Sequence, residues 1–244
     1  MTVPAKLFQQ WLRTVAGDIS QAAVCRSAGI KRSTLAQQLV RGRVSVATVA
    51  AVSRSLNLPV VASLSTFPLF TDLATGIKAP TQAELLSQIS DYDLLQEILN
   101  RQTQVEGALA RKPALLTSVP HRSSVRAWLD AVDVGELRQR VARDADMAPQ
   151  NFSAQISANR LSAELAVATA RIANVGLTNG LVATGFLSPT EAGWAPDARE
   201  LALRQTANSA LASLAAQRLE ILGRLMRRNE DDRAAVQSIW ENLG

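Results

Sequence analysis

The sequence predicts an all-α protein built on an internal duplication. Three observations predict it. The composition is 47% hydrophobic but only 4% aromatic, rich in the alanine and leucine that helices favour and poor in the aromatic residues that strands prefer. Apolar residues recur at three- and four-residue spacing. The third observation is that the 244-residue chain repeats itself at an offset of 117. Trp11-Leu12 falls on Trp128-Leu129 and Val15 on Val132. Val24, Arg26 and Ala28 fall on Val141, Arg143 and Ala145. Gln38 meets Gln155, Arg43 meets Arg160, Ser45 meets Ser162, Arg54 meets Arg171, Asn57 meets Asn174 and Leu64 meets Leu181, all without a gap. Ile30/Met147, Leu35/Phe152, Leu39/Ile156 and Val44/Leu161 keep the apolar phase between the identities.

Each element of the first copy has a local cause. A first helix spans about residues 5–16, with Pro4 tolerated at its start, and Gly17-Asp18 breaks it. A second runs over about 20–28, and Gly29 stands where a helix ends in the left-handed conformation. The third begins after Lys31, runs to about Val40 and closes at Gly42. Ser45 is a good N-cap for a fourth helix reaching Leu56, which Asn57 and Pro59 stop. A short fifth covers about 60–64. The second copy repeats the series from about Ser123 to Val182, with Ser162 as the matching cap.

Between and after the copies the pattern stays helical. Gln82 to Ser90 and the stretch from Asp91 to Arg111 read as two helices, the latter with a stripe of Leu95, Ile98, Gln102, Val105 and Leu109. Pro113 to Pro120 reads as an extended linker. A long helix is expected from Asp197 to Arg228 with Leu211, Leu214, Ile221 and Leu225 on its stripe. Asn229 to Asp232 is expected to break it before a last helix holding Val236, Ile239 and Trp240. The helices starting at Asp91 and Asp197 hold equivalent places, so they are expected to pack together and fix the relative position of the two heads. Arg218 falls inside the long helix's stripe, which argues against a plain coiled coil. Four regions follow: 1–78, 79–117, 118–190 and 191–244.

Composition excludes much. A lone Cys25 forbids an internal disulfide, and one cysteine with one histidine cannot supply a usual structural zinc set. His121, placed in the linker, reads as a solvated side chain, and Cys25 as a small core residue. There is no glycine-rich phosphate loop, and the paired acids Asp144/Asp146 and Asp231/Asp232 read as charges near helix ends. The expectation is no enzyme and no cofactor or metal. No apolar run reaches the ~18 residues of a membrane span, and no secretory signal is visible. The chain is therefore expected in a reducing, cytoplasmic compartment, beside the nucleoid of a bacterial host.

The turn at Ala28-Gly29-Ile30 carries the functional reading. A helix–turn–helix needs a small residue and a glycine there, so that the second helix leaves steeply. Ile30, Leu35 and Leu39 would face inward. Arg32, Ser33, Gln37 and Arg41 would remain outside, groups that can reach base edges or phosphates. Lys31, Arg43 and Arg54 are placed to meet phosphates, which give affinity and register. In the second copy Gln150, Asn151, Ser153, Ser157 and Arg160 are polar and outward.

The string AGIKRSTLAQQLVRGRVSVATVAAVSRSLNL resembles the lambda-repressor-like, or Xre-type, helix-turn-helix family. The second copy, ADMAPQNFSAQISANRLSAELAVATARIANVGLTNGLVATGFLSPTEAG, is similar to the same domain in immunity repressors of temperate phages of actinobacteria. There the fourth helix is commonly followed by a segment like GLVATG-L-T-EA. The resemblance covers about 60 residues in each half. It implies two tandem DNA-reading heads, with the first residues of each third helix entering the major groove. These are Arg32, Ser33 and Gln37, with Thr34 beside them, in the first copy. In the second they are Gln150, Asn151 and Ala154, because Pro149 takes the first position.

Charge separates the two heads. The net charge of +5 divides into +7 over 1–78, −2 over 79–117, +1 over 118–190 and −1 over 191–244. The first copy is the strongly basic one, as a reader of an acidic polymer should be. The sequence thus leads to the expectation of a DNA-binding repressor. It would read an asymmetric operator with two unlike heads, as a monomer or as a homodimer through the C-terminal helices. The alternative is an antitoxin-like helical interaction module whose DNA binding serves autoregulation.

Overall fold

The computed structural model describes residues 2–105 and 115–242, with side chains placed over 2–103 and 115–237. The first half holds β1 (Thr2–Pro4), α1 (Ala5–Ala16), α2 (Gln21–Ser27), α3 (Arg32–Val40), β2 (Arg43–Ser45), α4 (Val46–Ser55) and α5 (Val60–Ser65). A single 3-10 turn (Pro68–Phe70), α6 (Gln82–Ser87) and α7 (Asp91–Val105) complete it. The second half holds α8 (Ser124–Val132), α9 (Leu137–Asp144), α10 (Pro149–Ser157), α11 (Ala163–Ile172), α12 (Asn179–Ala183), α13 (Ala198–Gln205) and α14 (Asn208–Asn242). The described chain is mostly helical.

The internal repeat runs further than the 60-residue copies. The offset of 117 carries α3 onto α10 and α4 onto α11, residue for residue, and Asp91 at the start of α7 onto Asn208 at the start of α14. Backbone conformation explains several of the matches. Gly29, Gly42 and Asn57 have φ of +66°, +72° and +54°, and their partners Asp146, Asn159 and Asn174 have +47°, +51° and +56°. Only glycine, asparagine and aspartate enter this left-handed region cheaply. Each of these residues ends a helix in a cap that spends the last free carbonyls. After α2 the Ile30 amide donates to the Cys25 carbonyl at 2.8 Å, and after α9 the Met147 amide donates to Ala142 at 2.9 Å. Gln38 and Gln155 match for a second reason. Each side-chain oxygen accepts the amide of the serine that caps the next helix, Ser45 at 2.9 Å and Ser162 at 3.3 Å.

The chain forms two compact units, one of residues 1–88 and 118–199, the other of 89–117 and 200–244. The first unit holds both repeated heads. Its core includes Phe8, Trp11, Leu35, Val49 and Leu64 from one copy and Trp128, Leu129, Phe152, Ala166 and Leu181 from the other. Burying such side chains contributes about 1.5–3 kcal/mol each. In the second unit α7 packs on α14, so the two equivalent helices meet as expected. Leu94 and Leu211, 117 apart, are both buried there. This division cuts through the 79–117 spacer, because α6 packs against α8 of the second head.

Several expectations change. β1 and β2 form a short antiparallel ladder, with Val3 opposite Val44, both buried. The long C-terminal helix breaks at Thr206-Ala207 and continues through 229–232. No glycine or proline interrupts the acidic stretch. At the actual break, Arg101 takes the carbonyls of Leu203 and Thr206, both at 2.7 Å. On α7 Asp93 and Leu94 are buried, with Leu95 and Ile98 half-buried and Gln102 exposed, so the apolar stripe lies one residue away from that predicted. On α14 Leu211 is buried while Leu225 is exposed.

His121 is buried, not solvated. Its Nε2 lies 2.9 Å from the Ser87 carbonyl and its amide donates to Ser124 Oγ at 2.6 Å. Cys25 is a buried core residue. The stretch 106–114, with Leu109, Arg111 and Pro113, lies outside the described residues, as do the side chains of Val105, Ile239 and Trp240. No helix among the described residues is long and apolar enough to cross a membrane.

Candidate nucleic-acid interface

The first head presents α3 after the four-residue connection Ala28–Lys31. Ser20 caps α2 by accepting the Ala23 amide at 3.3 Å. Gly29 ends α2 and Lys31 stands at the N-cap of α3. Leu35 fixes α3 from beneath at 0% exposure. Gln38, half-buried, ties the end of α3 to α4 through Ser45 and through the Thr48 hydroxyl, which donates to it at 3.1 Å. These contacts leave the opposite face outward. Lys31, Arg32, Ser33, Thr34, Gln37, Arg41 and Arg43 are all exposed. Among the described residues, none of their side chains makes a hydrogen bond or ion pair within the chain.

The second head repeats the scaffold with a different face. Phe152 and Ile156 anchor α10 from within, at 1% and 2% exposure. Gln150, Asn151, Ser153 and Arg160 are exposed and, like their counterparts, carry no intrachain side-chain bond among the described residues. Ala148 stands at the N-cap and Pro149 at the first helical position, where its missing N–H costs nothing.

The helical period adds residues that composition alone passed over. Ser33, Ala36, Gln37 and Val40 share one face of α3 at spacings of three, four and seven, and Val40 is 89% exposed. Their counterparts on α10 are Gln150, Ser153, Ala154 and Ser157, all exposed. The signal was present: a bare valine in a polar row, one turn beyond Gln37.

Arg54 does not face outward for phosphate. Its guanidinium lies on the Glu191 carboxylate, Nε to Oε1 at 2.7 Å and Nη2 to Oε2 at 2.9 Å. It also donates to the Phe186 carbonyl at 2.7 Å. A bidentate pair with a free carbonyl beside it satisfies the fork of donors. The hydrogen bond from Arg54 holds the Glu191 carboxyl below its usual range, with the Ser188 amide helping against partial burial. Glu191 in turn raises Arg54. The repeat partner of Arg54 behaves likewise. Arg171 Nη2 donates to Asp72 Oδ2 at 2.7 Å.

These two arginines join the heads from opposite sides. Arg54 of the first copy reaches the segment that follows the second copy, and Arg171 of the second reaches the segment that follows the first. Between them the Leu177 amide donates to the Gly76 carbonyl at 2.9 Å and Lys78 Nζ to Asn174 Oδ1 at 3.0 Å.

A buried polar network fastens α6 to the second head. Glu84, at 0% exposure, closes a capping box with Thr81. Its Oε1 accepts from Trp128 Nε1 and from Asn179 Nδ2, both at 3.1 Å. Asn179 Oδ1 accepts from Trp194 Nε1 at 2.9 Å. A buried carboxylate is tolerated when its lone pairs are filled in this way.

The arrangement offers two exposed helix faces, one basic and one neutral, on heads bonded to each other. No protein-family model, no curated protein and no solved structure matches the chain.

Proposed function

We propose that this protein is a sequence-specific double-stranded DNA-binding transcriptional repressor that uses both heads of one chain. The observation that carries the reading is the exposed, unpaired set Arg32, Ser33, Gln37, Arg41 and Arg43 around α3. Five polar side chains that bond to nothing among the described residues are available to an external acidic ligand. The hydroxyl and amide groups suit base edges, and the arginines suit guanine or phosphate. The turn preceding α3 and the buried Leu35 hold that row as a fixed unit, which is what reading a groove requires. The resemblance to lambda-repressor-like proteins supports the same conclusion and points to phage immunity: bound over a promoter, the protein blocks RNA polymerase and keeps lytic genes silent. The antitoxin-like alternative is not favoured, because no observation singles out a toxin-binding tail.

The test is selection of retained sequences from random duplex DNA by the full chain, with the stoichiometry measured on the best binder. The expected result is one sequence bound far above random by one chain. Retention of no sequence above random overturns the reading.

A further inference from the structure

The two heads are bonded in a way that sets the polarity of what they read. In a head-to-tail arrangement, a residue of copy one touches copy two, and its counterpart in copy two faces an absent third copy. In a two-fold arrangement the contacts are reciprocal. Here the arginine contacts are reciprocal. Arg54 bonds to Glu191 and Phe186, and Arg171, its partner at an offset of 117, bonds to Asp72. The receiving segments are the equivalent stretches that follow the two copies. Gly76 and Gly193 are also partners at this offset. Gly193 lies against Ile77, the neighbour of Gly76, as residues near a two-fold axis must lie against one another's surroundings.

The second compact unit repeats the pattern independently. Arg101 donates to the Thr206 carbonyl at 2.7 Å and to Asn208 Oδ1 at 2.8 Å. Arg218 donates to the Ile89 carbonyl at 2.6 Å and to Asp91 Oδ1 at 3.4 Å. The offset of 117 carries Arg101 to Arg218, Ile89 to Thr206 and Asp91 to Asn208. In each unit the paired arginines thus bond as they would across a two-fold dimer.

We infer that the ligand is an imperfect inverted repeat: two half-sites of opposite polarity and unlike sequence, bound by one chain. The inference rests on the DNA-reading function proposed above and narrows it. Two-fold related heads that grip one duplex meet its two halves running in opposite directions. The halves differ because the outward faces differ. Glutamine pairs bidentately with adenine, and methyl groups meet the thymine methyl. The first head carries its glutamine at Gln37, and the second carries one a helical turn earlier at Gln150. Val40, exposed in the first head, has Ser157 as its counterpart. The half-sites therefore place adenine at different steps, and a thymine contact at Val40 belongs to the first half alone.

Two experiments on the full chain test this. In the first, one half of the best selected site is reversed, so that an inverted repeat becomes a direct one. Reversal is expected to weaken binding roughly 5- to 150-fold, the loss of one head's bidentate reading. In the second, the α10 face is rewritten as the α3 face by Gln150→Ser, Asn151→Thr, Ser153→Ala, Ala154→Gln and Ser157→Val. Selection with this variant is expected to return a symmetric inverted repeat of the first half-site. The converse rewriting of α3, by Ser33→Gln, Thr34→Asn, Ala36→Ser, Gln37→Ala and Val40→Ser, is expected to return an inverted repeat of the other half. All ten positions are exposed, so folding does not hang on them. A direct repeat from either variant, indifference to reversal, or a site with one half only overturns the inference while DNA reading stands. Retention of no sequence by the unaltered chain overturns both.

Discussion

Arg101 bonds to the segment just before the helix of Arg218, and Arg218 to the segment just before the helix of Arg101. Arg101, on α7, takes the carbonyls of Leu203 and Thr206, and Arg218, on α14, takes that of Ile89, two residues before α7. Their side chains are 17% and 10% exposed, so water cannot replace the guanidinium. The expected cost of Arg218→Ala is about 1.5–3 kcal/mol, the range for a hydrogen bond to a charged group. Arg101→Ala removes more bonds and should cost at least as much. Arg101→Lys should recover little, since an ammonium lacks the planar fork that spans two carbonyls and Asn208. Urea unfolding of the full chain measures all three, and an unchanged midpoint for Arg218→Ala would contradict this tie.

The joint between the heads should weaken in acid. Arg54 holds the Glu191 carboxyl below its usual value near 4.5. A carboxylate depressed in the folded state contributes stability that is complete above the unfolded value and is lost as pH falls through the folded one. Stability should therefore be flat near neutral pH and decline below about 4.5, more steeply than in Glu191→Gln. Arg54 is 45% exposed, so solvent screens the pair and the difference between the two proteins is small, below about 1 kcal/mol. Thermal melts across that pH range give the comparison; parallel curves would mean the pair contributes nothing.

The repeat, the caps and the turn before α3 were legible in the sequence because each rests on local chemistry. Gly29, Gly42, Ser45 and Asn57 announce backbone conformations that few other residues accept. The boundaries of α3 fell where Lys31 and Gly42 put them. What was not legible depends on distant partners. Arg54 looks like a phosphate ligand until Glu191 is known to sit beside it. His121 looks like a linker residue until α6 brings the Ser87 carbonyl to it. Arg218 looks like a flaw in an apolar stripe, yet it bonds to the Ile89 carbonyl and to Asp91. The break at Thr206 was missed for the same reason: Arg101 ends that helix from 105 residues away, whereas Asn229 to Asp232 contains nothing that stops a helix.

Glu84 should be the most sensitive acidic residue of the first unit. Glu84→Ala leaves the indole N–H of Trp128 and the amide of Asn179 without their buried acceptor. Each orphaned donor costs about 1–3 kcal/mol. Glu84→Asp keeps the charge but falls one methylene short of Trp128, and should recover only part of the loss. Trp128 fluorescence during denaturation reports the change at its source. A variant as stable as the parent would show that the network is not needed.

Gly180 marks a close approach in the second head. A Cβ there would lie 2.5 Å from the Trp128 ring and 2.8 Å from the Ala166 carbonyl oxygen. Neither neighbour is a flexible side-chain end. Gly180→Ala should destabilise by about 1–3 kcal/mol, the usual cost of overpacking, although alanine is the better helix former. Its counterpart in the first head is Ser63, so Ser63→Ala should be nearly neutral by comparison. Differential scanning calorimetry of the two variants distinguishes strain at this contact from a general intolerance of α12 and α5.

Base reading and phosphate binding should separate by their salt dependence. Gln37→Ala removes a base-edge contact and should cost about 1–3 kcal/mol on the selected site while leaving binding to random duplex unchanged. Arg43→Ala removes a charge placed for phosphate. It should weaken both kinds of DNA alike and lower the slope of log K against log salt by about one. Gln150→Ala with Asn151→Ala tests the second head in the same terms. If that head reads bases, the pair loses affinity for the selected site at constant salt slope. If it serves only to hold the first head in place, affinity is unchanged, and the reciprocal bonding of Arg54 and Arg171 is then a matter of packing alone. Arg160, the counterpart of Arg43, should follow the phosphate pattern only in the first case, which makes its salt slope the sharper readout of whether both heads touch the duplex at once.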